Sequence, residues 1–298
     1  MDGMLEWGYD LIEWAQQFSP MLDTLFKAIT TLGAEQAFLL LSPLIFWCVD
    51  KRRGVRLGVL LMFLFYVNHA LKLLFDQPRP SPDRVQVMAE EFDPGLPSGH
   101  AQSAVMVYGF LAAQVRRPWA WGLAALIALS VGLSRIYMGL HFPTDVLAGW
   151  LIGIVMLAFY LRVEPPVERR FRAWPWNYQM LLAFVVPLAL FLVYFDAVGA
   201  QLMGTLLGLL VGVLIEFRWV RFSAKGPRQQ RAARFVFGSA ILVAIWLGAK
   251  AIFPTVDPYE PETVALIFRL IRYALVGVWT SLGAPWCFVR MKLAASEG

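Results

Sequence analysis

The feature that most constrains this chain is a succession of nine apolar segments, near 35–50, 55–75, 99–115, 119–136, 144–162, 177–196, 199–217, 235–253 and 263–285. About 20 residues of helix cross the hydrocarbon core of a bilayer, and these segments approach or reach that length. The first is short, and the sixth and seventh are parted only by a tight turn at Asp196–Gly199. With 16% charged residues, the chain falls well below the roughly one quarter typical of a soluble domain. The expected fold is therefore all-α: a polytopic membrane helical bundle of about nine transmembrane helices.

The loops sort by charge. Basic residues follow every odd-numbered segment: Lys51, Arg52, Arg53 and Arg56, then Arg116 and Arg117, then Arg162, Arg169, Arg170 and Arg172, then six between Arg218 and Arg234, then Arg290 and Lys292. Positively charged loops stay in the cytoplasm, so the N-terminus is expected outside and the C-terminus cytoplasmic. The loop before the last segment, PTVDPYEPE, is acidic. This distribution reads the net charge of +5 as membrane orientation and not as a sign of a nucleic-acid partner. The opening MDGMLEWGYD lacks the basic n-region of a secretory signal peptide. Cys48 and Cys287, each at the edge of an apolar run, read as small packing residues, with neither a disulfide framework nor a metal site.

Before the first segment, Leu11, Ile12, Trp14, Ala15 and Phe18 repeat at helical spacing among Asp10, Glu13, Gln16 and Gln17. Such a pattern predicts an amphipathic helix, lying on the outer interface or packed on the bundle. Small residues four apart, Gly149 and Gly153, then Gly204, Gly208 and Gly212, allow close helix approach.

Three polar clusters interrupt the apolar pattern: Lys72-LLFDQP-Arg79-Pro80, Pro97-Ser98-Gly99-His100, and Ser134-Arg135-IYMGL-His141-FPT-Asp145. Counting spans puts all three on the outer side. Lys72, Arg79 and Arg135 offer cations suited to phosphate oxygens, the arginines as planar forks and the lysine as a point charge. Ser98 stands where a helix should begin and is placed to cap it, and the unpaired N–H groups there favour an anion. Gly99 lets the backbone approach a ligand. No dense carboxylate cluster accompanies these motifs, which argues against a divalent-metal cage, so no metal or cofactor is expected.

His141 and Asp145 are four apart, with Pro143 placed to start a helix, so the two share a face. Asp145 is placed to hold one imidazole nitrogen and leave the other free to attack. His100, on a different helix, is placed to protonate a departing oxygen.

Together the clusters resemble the signature of the type 2 phosphatidic acid phosphatase (PAP2) superfamily, K-x6-RP, PSGH and SR-x5-H-x3-D, at all eleven specified positions and in order. The resemblance covers roughly residues 55–162. It implies a metal-independent phosphatase with a phosphohistidine intermediate. His141 resembles the nucleophile, Asp145 its orienting partner and His100 the general acid, later the base that activates water. Lys72, Arg79, Ser98, Gly99 and Arg135 resemble the phosphate cradle. The organisation then expected is an interfacial segment at 1–34, a catalytic helical core at 35–162, and additional transmembrane helices of unknown role at 163–298.

The expected function is hydrolysis of the terminal phosphate of a membrane lipid phosphate or diphosphate taken from the outer leaflet. The site would face the periplasm or exterior of a bacterial inner membrane, or the lumen of a eukaryotic one. The alternatives are a lipid phosphotransferase with the same site, a glucose-6-phosphatase-like sugar phosphate hydrolase and, from a different class, a non-catalytic lipid binder or transporter. Asn68 and His69 read as satisfied interior residues or as support beside the site. Asp76 and Gln77 lie within the variable stretch of the first motif, where nothing in the pattern requires them to touch the site. Lys250, Arg269 and Arg272 form a second basic group, read as snorkelling or paired with Glu260 or Glu262, or as a lining for a charged headgroup.

Overall fold

The computed structural model describes residues 2–253 and 262–297. Residues 254–261 of the acidic loop before the last segment, including Glu260, lie outside the described residues. The elements run α1 (Asp2–Gln16), α2 (Asp23–Thr30), a single 3₁₀ turn (Thr31–Gly33), α3 (Glu35–Cys48), α4 (Lys51–Phe75), α5 (Gly99–Val115), α6 (Pro118–Tyr137) and α7 (Pro143–Ala173). After them come α8 (Trp176–Val193), α9 (Ala197–Ile215), α10 (Arg228–Ile252), α11 (Thr263–Val278) and α12 (Ala284–Arg290). Wide π turns at Glu216–Val220 and Trp279–Gly283 extend α9 and join α11 to α12. Among the described residues, the only β pairing is an isolated bridge between Phe222 and Ser296.

A helix lies in each of the nine apolar segments. Seven are long and apolar enough to cross a bilayer, or eight if the pair Asp23–Gly33 and Glu35–Cys48, bent by 49°, forms one span. The other two are short, the 17 residues of α5 extending about 26 Å and the 14 of α3 about 21 Å. Local chemistry sets several ends. Pro118 and Pro143 open α6 and α7, where a missing N–H costs nothing. Asp196 caps α9 by accepting from the Gly199 N–H at 2.7 Å.

The chain divides into two compact units, Met1–Phe38 with Phe63–Pro165, and Leu39–Met62 with Pro166–Gly298. In the first, α1 docks on the bundle through one face. Ile12 is fully buried, Tyr9 packs edge-on against Phe142 at 5.1 Å, and the Gln16 amide donates to the carbonyls of Gln86 and Tyr137. Trp7, Leu11 and Trp14 remain exposed on the rest of the helix, and Phe18 in the turn after it. The sequence pattern grouped Ile12 with this apolar stripe, but tertiary packing claims it for the core.

In the first unit the Gly149–Gly153 pair is spent on the α5–α7 contact. A Cβ at Gly149 would lie 2.6 Å from the Ser98 carbonyl oxygen, and one at Gly153 would lie 3.0 Å from that of Gln102. In the second unit the glycines of α9 meet α11 directly; a Cβ at Gly208 would lie 2.1 Å from the Ala274 carbonyl oxygen. Both stripes therefore serve packing within a unit. Also in the second unit, the fully buried Arg234 donates to the carbonyls of Trp47, Ser223 and Lys225, a charge neutralised by backbone dipoles.

Candidate active site

All eight motif residues with candidate roles fall in the first unit. Lys72 is in the last turn of α4, and Arg79 is in the loop that follows it. His100 is the second residue of α5, Arg135 lies in the last turn of α6, and His141 and Asp145 flank the start of α7. Lys72, Ser98, Arg135, His141 and Asp145 are buried, while Gly99 and His100 are half-buried.

The geometry fixes the state of His141. Its Nε2 lies 3.0 Å from Nη1 of Arg79. A guanidinium only donates, so Nε2 accepts and the ring proton sits on Nδ1, which faces Oδ2 of Asp145 at 3.4 Å. Burial, then the positive charges of Arg135 and Arg79, hold the His141 imidazole well below its ordinary pKa. At neutral pH it is therefore an uncharged ring with a lone pair on Nε2. The same Asp145 oxygen accepts the Phe142 N–H at 2.9 Å, and Oδ1 accepts from Gln77 Nε2 at 2.6 Å. These contacts leave the fully buried carboxylate little freedom to rotate.

The cations converge on two carboxylates that the motifs do not contain. Glu91 bridges the arginines: Oε1 accepts from Nη2 of Arg135, and Oε2 lies 2.6 Å from Nη1 of Arg79. That second oxygen is 3.8 Å from Nε2 of His141. Asp93 holds Lys72 at 2.6 Å and Nη2 of Arg79 at 2.8 Å. Burial works to raise the Asp93 pKa, but Lys72 and Arg79 outweigh it and hold the carboxyl below the usual range. The absence of a dense carboxylate cluster from the motifs therefore did not extend to the loop between them. The run Glu90-Glu91-Phe92-Asp93 was the available signal, an acidic stretch bracketed by phosphate-type cations. Both carboxylates are engaged with those cations, and no group of three His, Cys, Asp or Glu placed to hold a metal occurs among the described residues.

The PSGH turn is fastened from two sides. The Ser98 N–H donates to the Asp145 carbonyl at 3.0 Å, and Nδ2 of Asn68 donates to the Pro97 carbonyl at 3.3 Å and to Oε1 of Gln102 at 2.8 Å. Asn68 is thus satisfied and supports the turn. Ser98 does not cap α5 through its side chain; its hydroxyl is buried without a hydrogen-bond partner. The residue is turned inward, and its backbone, not its hydroxyl, makes the junction. Arg135 Nη1 donates to the Thr30 hydroxyl at 3.1 Å, while its Nε is buried unpaired.

A model of the PAP2 superfamily matches residues 53–169, and a model described as the PAP2 superfamily phosphatase transmembrane extension matches residues 200–296. A phosphatidylglycerophosphatase B of Bacillus subtilis is 30% identical over 163 residues, covering 50% of this chain and 79% of that protein. The chain belongs to the PAP2 superfamily. A probable sphingosine-1-phosphate phosphatase of Dictyostelium discoideum is 35% identical over 150 residues, covering 46% of this chain. The chain spans 37% of the length of that PAP2 relative. A crystal structure of a transmembrane PAP2-type phosphatidylglycerolphosphate phosphatase from Bacillus subtilis aligns with a TM-score of 0.47 at 25% identity, covering 56% of this chain and 89% of that one.

The second basic group lies within the stretch matched by the PAP2 transmembrane extension. Arg269 donates to the Gln201 side chain at 3.0 Å, Arg272 is buried with its guanidinium 5.2 Å from the Tyr273 ring centre, and Lys250 lies 5.6 Å from that of Trp246. Tyrosine and tryptophan thus act as cation–π partners for these side chains. His69 is half-buried on α4.

Proposed function

We propose that the chain is a metal-independent phosphatase that removes the terminal phosphate of a membrane lipid phosphate or diphosphate. The observation that carries this reading is the seat of the Glu91 carboxylate. An anion is gripped by Arg79 and Arg135, with an oxygen 3.8 Å from the lone-pair nitrogen of an uncharged imidazole. A phosphate there would meet the same two forks, with Lys72 and the N–H groups at the start of α5 adding further donors.

In this mechanism Nε2 of His141 attacks phosphorus, the N–P bond forms, and the ester or anhydride P–O bond breaks. The leaving oxygen takes a proton from His100, whose imidazolium form the incoming phosphate's negative charge favours. Asp145 holds the Nδ1 proton and stabilises the imidazolium character that develops. Water then gives a proton back to His100 as its oxygen attacks phosphorus, the N–P bond breaks, and orthophosphate departs. Catalysis rests on fixed cations matched to the equatorial oxygens of the transition state.

The PAP2 relatives named for sphingosine 1-phosphate and for phosphatidylglycerol phosphate favour a lipid substrate over a soluble sugar phosphate. On the positive-inside pattern the N-terminus is outside, the C-terminus is cytoplasmic, and the site opens to the outer leaflet. Residues 35–162 form the catalytic core, 1–34 a segment docked on it with an apolar face toward the interface, and 163–298 an extension.

The test is phosphate release from phosphatidate, phosphatidylglycerol phosphate, a polyprenyl diphosphate, a sphingoid phosphate and glucose 6-phosphate, each with and without EDTA and vanadate. Activity on at least one lipid should survive EDTA and fall with vanadate, which imitates pentacoordinate phosphorus. Activity restored only by a divalent ion after chelation would refute the mechanism.

The resting contacts of Glu91 lead to a second expected result. Phosphate must displace its carboxylate, so Glu91→Gln should tighten inhibition by orthophosphate and vanadate about tenfold, the scale of one hydrogen bond to a charged group. Weaker inhibition by both anions would mean that Glu91 assists binding instead.

A further inference from the structure

We propose that Gln77 is a positioning residue that fixes Asp145 for its work on His141, an inference that rests on the phosphatase reading above. Asp145 is a buried carboxylate, and an ionised carboxylate only accepts. Oδ2 is occupied by the Phe142 N–H and faces the His141 ring at 3.4 Å. Oδ1 has one side-chain donor, Nε2 of Gln77 at 2.6 Å. Without that donor, one oxygen of a buried carboxylate loses its partner, and a proton or a rotation of the group is the available remedy.

The backbone is built to deliver this side chain. Helix α4 ends at Phe75, and the next residue, Asp76, adopts a left-handed conformation with φ of 42°, its N–H donating to the Lys72 carbonyl at 2.9 Å. Aspartate is among the few residues other than glycine that tolerate this turn. The helix therefore stops and the chain changes course immediately before Gln77. From the far side of the loop, the Gly95 N–H donates to the Gln77 carbonyl at 2.7 Å. Gly95 itself lies against the carboxylate: a Cβ there would be 3.1 Å from Oδ2 of Asp145 and 3.3 Å from the Pro78 carbonyl oxygen.

Gln77 thus links the motif that supplies Lys72 and Arg79 to the one that supplies His141 and Asp145. Its amide touches neither the nucleophilic nitrogen nor the anion seat. Its effect should fall on turnover and leave anion affinity alone.

The test uses the full chain in proteoliposomes with the lipid phosphate it hydrolyses best. Gln77→Leu keeps the bulk and removes the donor, and should lower kcat roughly 10- to 100-fold, the worth of a hydrogen bond to a charged group, with KM and orthophosphate inhibition within about twofold. Gln77→Glu sets a second carboxylate against Asp145. At neutral pH its kcat should fall at least as far, and it should recover as the pH drops and the new carboxyl takes a proton to donate to Oδ1. A role limited to packing predicts no such pH-dependent recovery. Wild-type kcat in Gln77→Leu, or a wild-type pH profile in Gln77→Glu, would overturn the inference. His141→Ala run alongside separates the two levels. If it is inactive while Gln77→Leu is fully active, only the Gln77 assignment falls; if it is active, both fall.

Discussion

Alanine at position 141 is expected to lower phosphate release by about 10⁴-fold or more while leaving orthophosphate binding largely in place. The magnitude follows from systems in which the nucleophile and its orienting partners act as a unit, so that losing one member costs most of the chemical step. The separation of effects follows from the geometry. Oxygens in the anion seat face Arg79 and Arg135, and His141 contributes a lone pair that an anion does not need. Two measurements check the result: steady-state release, and acid-labile, base-stable labelling of the protein by substrate phosphorus, which should vanish in the variant. Release at the wild-type rate would remove His141 from the mechanism. Retained labelling would move the covalent step to another residue. The same experiment disposes of the non-catalytic binder, for which His141 has no role.

Next in expected size is Gly149→Ala. A methyl group there would sit 2.6 Å from the Ser98 carbonyl oxygen and 3.1 Å from Cβ of Ala101, so α5 and α7 must part. The contact lies one helical turn beyond Asp145, whose carbonyl already holds the Ser98 N–H. Separation therefore acts on the junction between His100 and the His141–Asp145 pair. Misplacing reacting groups by about 1 Å costs on the order of 10²-fold in rate, and overpacking a helix contact costs about 1–3 kcal/mol of stability. At Gly153 the nearest atom is 3.0 Å away, so Gly153→Ala should show the same defect in weaker form. Thermal stability and kcat measured for both variants check that order. An active Gly149→Ala enzyme of undiminished stability would show that the helices yield without disturbing the site.

The sequence exposed the spans and the eleven motif positions because both are local. Apolar runs follow from the bilayer's thickness, and each motif residue is spaced along a single helix end or loop. Pro143, His141 and Asp145 could be placed together from their numbering alone. The residues that went unread are those whose meaning depends on a distant partner. Glu91 and Asp93 sit in a polar loop that resembles any solvated loop until Arg79, Arg135 and Lys72 are brought to it. Gln77 acquires a role only when α7 arrives, 68 residues further on. Ser98 illustrates the converse: its local context favours a side-chain cap, and burial overrides it. Hydropathy marks where apolar residues run, while the number of helical turns in the short helices α3 and α5 bears on whether they reach across.

The contact between Arg79 and Nε2 of His141 has a consequence for reagent selectivity. In the resting molecule the Nε2 lone pair is already engaged by a guanidinium, so the imidazole is masked. Acylating and alkylating agents offer that guanidinium no reason to leave. A phosphate does, because its oxygens compete for the same N–H groups. On the proposed reading, the cargo that is to be attacked is also the key that unlocks its attacker, and unrelated electrophiles in the membrane meet a histidine that is chemically quiet.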